Sequence, residues 1–314
     1  MKNITYSTLL FSLFLFSCEN MQTVIDLDVP QKESVLVLNG LLDTDTNARV
    51  VISHSVGAFS TGRPSFINNA KVALYKNGIF EDSLLPDLSN LISVNYYDDG
   101  NSGSLPMYYY TSPYEPERNT NYTIEVDHNG YDAISAETFI PDDILLYDIE
   151  IDTASHENKI ELTFRFDDNP NVQNFYRLKV ITSCRKTWED DSWRVRGAAV
   201  MMSNDQSFPS DIPFEGYTFI GNSVVFDDGL FNGQQKTITL DVDPEVKWGK
   251  CDTVIINFST FSDDTYSYYS SLGDHRDKGE LNIFGGEVIP VYTNVENGLG
   301  ILISINAQDI YLKP

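Results

Sequence analysis

The sequence predicts a mainly all-β protein: two β-sandwich-like domains, the first immunoglobulin-like and the second with a short helical insertion. Three observations carry this. Tyr and Phe are abundant, 18 of each, and recur with Val, Ile and Thr in short runs that suit a pleated, half-buried surface. Asn-Gly and Asp-Gly pairs punctuate those runs with turn chemistry. A chain of 314 residues has room for about two domains, and its 41% hydrophobic content is enough to build a core.

The first element is an address. Lys2 supplies a positive start, and Leu9 to Phe16 form a short apolar run broken by Ser12. Such a run is too short to cross about 30 Å of hydrocarbon, so it reads as a signal peptide. It closes in Leu15-Phe16-Ser17-Cys18, which resembles the bacterial lipobox. Residues 1–17 are therefore expected to be removed and the Cys18 thiol to carry lipid, with residues 18–33 as a lipidated tether. Two or three acyl chains, each stabilised by roughly 0.8 kcal/mol per buried methylene, hold a soluble body at a bilayer.

The strands follow one after another. In a first domain, 34–141, the runs are Val35–Leu38, Val50–Ser55, Lys71–Tyr75, Tyr108–Thr111, Tyr122–Val126 and Ala133–Phe139. Asn77-Gly78 is a hairpin signal, and Asp127-His128-Asn129-Gly130 marks a second turn. Pro141-Asp142-Asp143 closes the set. The second domain, 142–314, opens with Ile144–Asp152 and Lys159–Phe166, where Leu162, Phe164 and Phe166 share one face. Phe175–Ser183, Arg194–Met202, Lys236–Val242 and Val254–Thr260 come next, and a Gly-rich turn feeds a last strand. One helix is expected over 264–272, capped by Asp263 or Asp264 and ended by Gly273.

Charge excludes whole classes of function. A net charge of −25 repels nucleic acid, whose binding needs Lys and Arg against phosphates. It also disfavours adsorption to anionic headgroups, so contact with the bilayer must come through the acyl chains. In an oxidising compartment the remaining cysteines, Cys184 and Cys251, are candidates for a disulfide, with two buried thiols as the alternative.

Several segments carry a family likeness. Val24-Ile25-Asp26-Leu27-Asp28-Val29-Pro30, Asn69-Ala70-Lys71-Val72, Phe231-Asn232-Gly233 and Tyr266-Ser267-Tyr268-Tyr269 are four of them. The most specific is the Asn- and Gly-rich run from Tyr292 to Gly300. Together they resemble a Bacteroidetes family of outer-membrane lipoproteins known as domain of unknown function 4249. The resemblance covers essentially the whole mature chain, and departs at Ile301-Leu302, where the family often has an aromatic. It implies an outer-membrane lipoprotein, often encoded near TonB-dependent transporters, and implies no catalytic residues.

The chemistry legible in the residues is sparse. Asp43, Asp45 and Asn47 alternate like half of a calcium loop but lack its Gly and its Glu. Asp98-Asp99-Gly100-Asn101, Asp167-Asp168-Asn169 and Asp227-Asp228-Gly229 are similar fragments, and each also suits a plain turn. No GxSxG, HExxH or P-loop occurs, and the residues around His275 read as a solvated helix end. The expectation is a protein that is not an enzyme and needs no cofactor beyond an optional structural calcium. Aromatics are the better binding candidates: neighbours in Tyr108-Tyr109-Tyr110 fall on opposite faces of a strand, so at least one is expected outward, and Tyr108, Tyr110, Trp188 and Trp193 are the candidate contacts. The leading expectation is an accessory or ligand-capture lipoprotein beside a TonB-dependent transporter, displayed at the cell surface rather than on the periplasmic side. The alternatives are a surface glycan-binding or adhesive module, and a hydrolase with its site in the second domain.

Overall fold

The computed structural model describes residues 33–56, 65–98, 101–152, 159–186, 194–209, 216–244, 249–278 and 290–314. The protein is mostly β with one short helix. Its largest sheet has 13 strands. In spatial order these are β13 (Arg194–Ala198), β12 (Phe175–Lys186), β18 (Gly249–Phe261), β20 (Leu299–Leu312), β1 (Leu36–Asp43) and β2 (Arg49–His54). The path continues through β7 (Tyr110–Thr111), β4 (Ile79–Pro86), β3 (Lys71–Lys76), β8 (Thr120–Asp127), β9 (Ile134–Ile140) and β19 (Val295–Glu296). Off this path, β16 (Val224–Asp227) pairs with β12.

A second sheet of five strands runs β10 (Tyr147–Asp152), β11 (Ile160–Asp167), β17 (Gln235–Asp243), β14 (Val200–Ser203) and β15 (Phe219–Gly221). A separate hairpin joins β5 (Ile92–Asp98) to β6 (Asn101–Met107).

Alternation writes most of these strands. In β8 Tyr122, Ile124 and Val126 are buried while Asn121, Glu125 and Asp127 face water; in β11 Leu162, Phe164 and Phe166 are wholly buried. The Asn77-Gly78 pair sits at φ 49° and 78°, and Lys76 faces Ile79 across it, as a two-residue hairpin turn requires.

Two cores result. The first gathers Leu36, Leu38, Val50, Ile52, Leu74, Tyr122, Ile124 and Ile134. The second packs Leu162, Phe164 and Phe166 of the smaller sheet against Tyr176, Leu178 and Phe258 of the larger. There Phe166 lies 5.2 Å from both the Tyr176 and Phe258 rings.

One strand belongs to both cores. The first half of β20 runs parallel to β1, from Val37 opposite Leu299 to Asp43 opposite Ile305, and its second half runs antiparallel to β18. Residues 34–56 and 61–314 accordingly form one compact unit, with the boundary expected near 141 lying between two cores that share a strand.

Other expectations change in contact with the fold. The stretch 194–202 is two strands, not one: β13 pairs with β12, the chain crosses at buried Ala199, and β14 pairs with β17 in the other sheet. The helix, α1, spans Asp263–Lys278. Its cap is Ser262, whose buried Oγ accepts the Thr265 N–H at 3.3 Å, while Asp263 and Asp264 occupy the first turn, where the helix dipole favours carboxylates. Gly273 does not end it, because a terminating glycine takes a left-handed φ and Gly273 keeps a helical one. Among the described residues no helix is long and apolar enough to cross a membrane.

Candidate functional site

Outward-facing residues of β8 and β9 build the floor of a trough of about 420 Å³. The alternation that buries Tyr122, Ile124, Ala136 and Thr138 turns Asn121, Thr123, Ser135, Glu137 and Phe139 toward solvent. Asn294 and Glu296 close one side and Asp264, from the first turn of α1, adds a third carboxylate. Among the described residues the lining contains no Lys or Arg. Phe139 exposes 38% of its surface there, an aromatic at a position that alternation reserves for polar residues. Carboxylate and amide acceptors, hydroxyls and one phenyl ring suit a neutral polyol or a cationic group, and repel anions.

The trough is held rigidly by the segment from Tyr292 to Gly300. Asn294 spans two strands: its amide donates to Glu137 O at 2.8 Å and Leu302 O at 2.7 Å, and its oxygen accepts the Leu302 N–H at 2.9 Å. Tyr292 donates to Asp264 Oδ1 at 2.6 Å, and burial together with that carboxylate raises its phenol pKa. Asn297 and Gly300 take positive φ of 58° and 106°, and a side chain at Gly300 would collide with the Leu38 carbonyl.

A second trough, also about 420 Å³, lies on the smaller sheet, lined by Glu161, Asn204, Asp205, Tyr217, Thr239 and Asp241 among others. Tyr217 donates to Asp241, and Lys236 pairs with Asp205 at 2.6 Å with both side chains largely buried. Three of its polar side chains, Tyr217, Asp241 and Asp205, are thus already engaged within the protein.

Two of the acidic fragments meet in the fold. Asp168, 6% exposed, accepts from the Tyr176 hydroxyl and from Gly233 N at 2.7 Å; Asp228, 2% exposed, accepts from Asn174 N at 2.9 Å. Burial, with Asp228 nearby, raises the Asp168 pKa against the opposing pull of these hydrogen bonds. Phe231-Asn232-Gly233 is the loop so fastened, with Gly233 at φ 69° packed against Pro170.

The sites read from sequence fare differently. Tyr108 and Tyr110 are corrected as candidate contacts: both are buried, and Tyr108 donates to Phe66 O at 2.7 Å while Tyr110 accepts from Ala70 N at 2.9 Å. Residues two apart in an extended chain share a face, and those two backbone partners draw both phenols inward. Tyr109, between them, turns outward under the Arg49 guanidinium, 4.9 Å from its ring.

The Asp43 loop is a turn, with Asp43 Oδ1 accepting the Asp45 N–H at 3.0 Å and Asn47 exposed beyond it. Burial, then Asp43 and Asp309, raises the Asp45 pKa. Among the described residues no group of three His, Cys, Asp or Glu side chains is placed to hold a metal. A disulfide joins Cys184 to Cys251 across β12 and β18. Cys18, Trp188 and Trp193 lie outside the described residues.

The trough residues themselves escaped the sequence reading. Their signal was present in β9, where Phe139 stands at an outward position of an alternating strand.

No curated protein matches the chain. A family model does, over residues 22–310, and these include the tight turns and the Asn294 clamp just described. The chain belongs to the family described as domain of unknown function (DUF4249).

Proposed function

We propose that this protein is a non-catalytic lipoprotein of the outer membrane, anchored through Cys18, that serves a TonB-dependent transporter as an accessory or ligand-capture component. The observation that carries the partner is the segment entering the β5–β6 hairpin. Leu85, Leu88, Leu91 and Ile92 are 68%, 55%, 56% and 41% exposed, and among the described residues the hairpin pairs with no other sheet. Apolar side chains concentrated in one short exposed stretch support a protein-binding role, since scattered exposure alone would need no partner. The trough beside Phe139 supplies a place for a captured ligand.

The test is purification of the tagged full-length chain from detergent-solubilised outer membranes. A β-barrel transporter should accompany the wild type and be lost from the Leu85→Asp/Leu88→Asp variant. If no such barrel ever accompanies the wild type, the reading fails.

A glycan-binding module that acts without a transporter is the second reading, and the Phe139 trough favours it, because an aromatic platform ringed by carboxylates and amides is how proteins hold neutral sugars. A glycan array compares the wild type with Phe139→Ala and with Trp188→Ala and Trp193→Ala. Sugar binding lost in any of these variants supports it, and no binding by the wild type removes it.

A further inference from the structure

On the outer face of the large sheet two cations stand side by side. Arg177 and Lys179 are alternate residues of β12 and so point the same way, opposite to buried Tyr176, Leu178 and Val180. Strand register places Ser259 beside Arg177 and Asn257 beside Lys179 on β18, then Ala307 and Asp309 on β20. One side of this row is aromatic. Phe175 stacks on Phe261 at 6.3 Å and on Tyr266 of α1 at 4.4 Å. The other side is Ile181, Ile255 and Tyr311. Two charges therefore sit in a strip with aromatic and aliphatic borders, and its third row member, Ala307, is small.

Their hydrogen-bonding capacity is nearly unused. Arg177 donates from one Nη to Ser259 Oγ at 3.2 Å, and its Nε is buried with no partner. Lys179 makes no hydrogen bond or ion pair with the described residues. Asn257 donates its amide to Asp309 at 2.7 Å, so that carboxylate is engaged beside the lysine rather than with it. Elsewhere Lys71, Lys76, Arg118, Arg165 and Lys236 all meet a carboxylate. On a chain of net charge −25 a counter-charge was easily available; Asp43 acts on Arg177 electrostatically, yet among the described residues no carboxylate forms an ion pair with either cation.

We propose that Arg177 and Lys179 form a binding site for an oxyanion, a carboxylate or phosphate group of a small ligand. The planar guanidinium offers its unengaged Nη–H donors to an oxygen of such a group, and the ammonium adds a point charge beside it. Tyr269 of α1, close enough to act on Arg177 electrostatically and 49% exposed, flanks the entrance and would contact the rest of the ligand. Burial lowers the pKa of both groups, and Arg177 adds to the effect on Lys179, so each gains from an anion. The site is complementary to the anionic trough beside Phe139: one takes neutral or cationic chemistry, the other negative.

Isothermal titration of the full-length protein in detergent, with sodium phosphate and separately with sodium succinate, tests this. Saturable binding of either probe is expected, and the probe that binds identifies the group. Arg177→Gln and Lys179→Gln should each weaken it by about tenfold or more, while Arg196→Gln on the exposed edge strand leaves it unchanged. Lys179→Gln breaks no hydrogen bond, so it reads the site even if Arg177→Gln misfolds. Absence of binding by both probes, or binding that Lys179→Gln leaves intact, overturns the proposal.

Discussion

Asn294 shows how much one side chain can hold. Its amide joins β9 to β20, so Asn294→Ala leaves two carbonyls and one N–H without their partner. At about 1 kcal/mol for each hydrogen bond, and more where solvent cannot replace it, the loss should be about 2–3 kcal/mol by urea denaturation. Asp168 gives a pH signature. Its carboxyl is held above the ordinary range, chiefly by burial, so the folded state binds the proton more tightly than the unfolded chain. Its contribution to stability is fully present below about pH 4 and is lost as pH rises through the folded pKa. The stability of Asp168→Asn, measured by denaturation at a series of pH values, should lack that fall relative to the wild type; parallel curves for the two would refute the assignment.

At the scale of elements, β12 and β18 form the spine that the disulfide staples. Cys184 and Cys251 are 67 residues apart in sequence, and cross-linking a loop of that length restricts the unfolded chain by about 4 kcal/mol in the entropic model. The Cys184→Ala/Cys251→Ala protein should therefore unfold at lower denaturant by about 2–4 kcal/mol, with an unchanged circular dichroism spectrum at zero denaturant. Helix α1 is fastened by the same economy of polar contacts. Thr265 Oγ1 donates to Ser304 O at 2.8 Å and accepts Ser304 N–H at 3.0 Å, which seats the first turn on β20 and brings Asp264 to the trough.

For the whole molecule, the net charge bears directly on the proposed anchor. A body of net charge −25 has no electrostatic reason to lie on an anionic bilayer, so the attachment proposed above rests on acyl chains at Cys18. Cys18→Ala should move the protein from the membrane fraction to the soluble one, and mass spectrometry of the wild type should find acylated Cys18 at the mature N-terminus. Retention of Cys18→Ala in washed membranes would contradict the anchor.

Much of this was legible along the chain. Alternation in β8 and β11, the Asn77-Gly78 turn and the aromatic composition are local properties: a period of two and a left-handed turn depend on neighbouring residues alone. Hence the β class, most strand positions and the acidic character could be read without a structure. Partner choice could not. The parallel pairing of β1 with β20 joins the two ends of the described chain, and the crossing at Ala199 sends consecutive strands to different sheets. Both are decided by which faces can be buried together once distant segments meet, a non-local energy that no single window contains. The same reason hid the trough and the cation pair, since Glu137, Asp264 and Asn294, like Arg177 and Ser259, become neighbours only when the strands between them have closed.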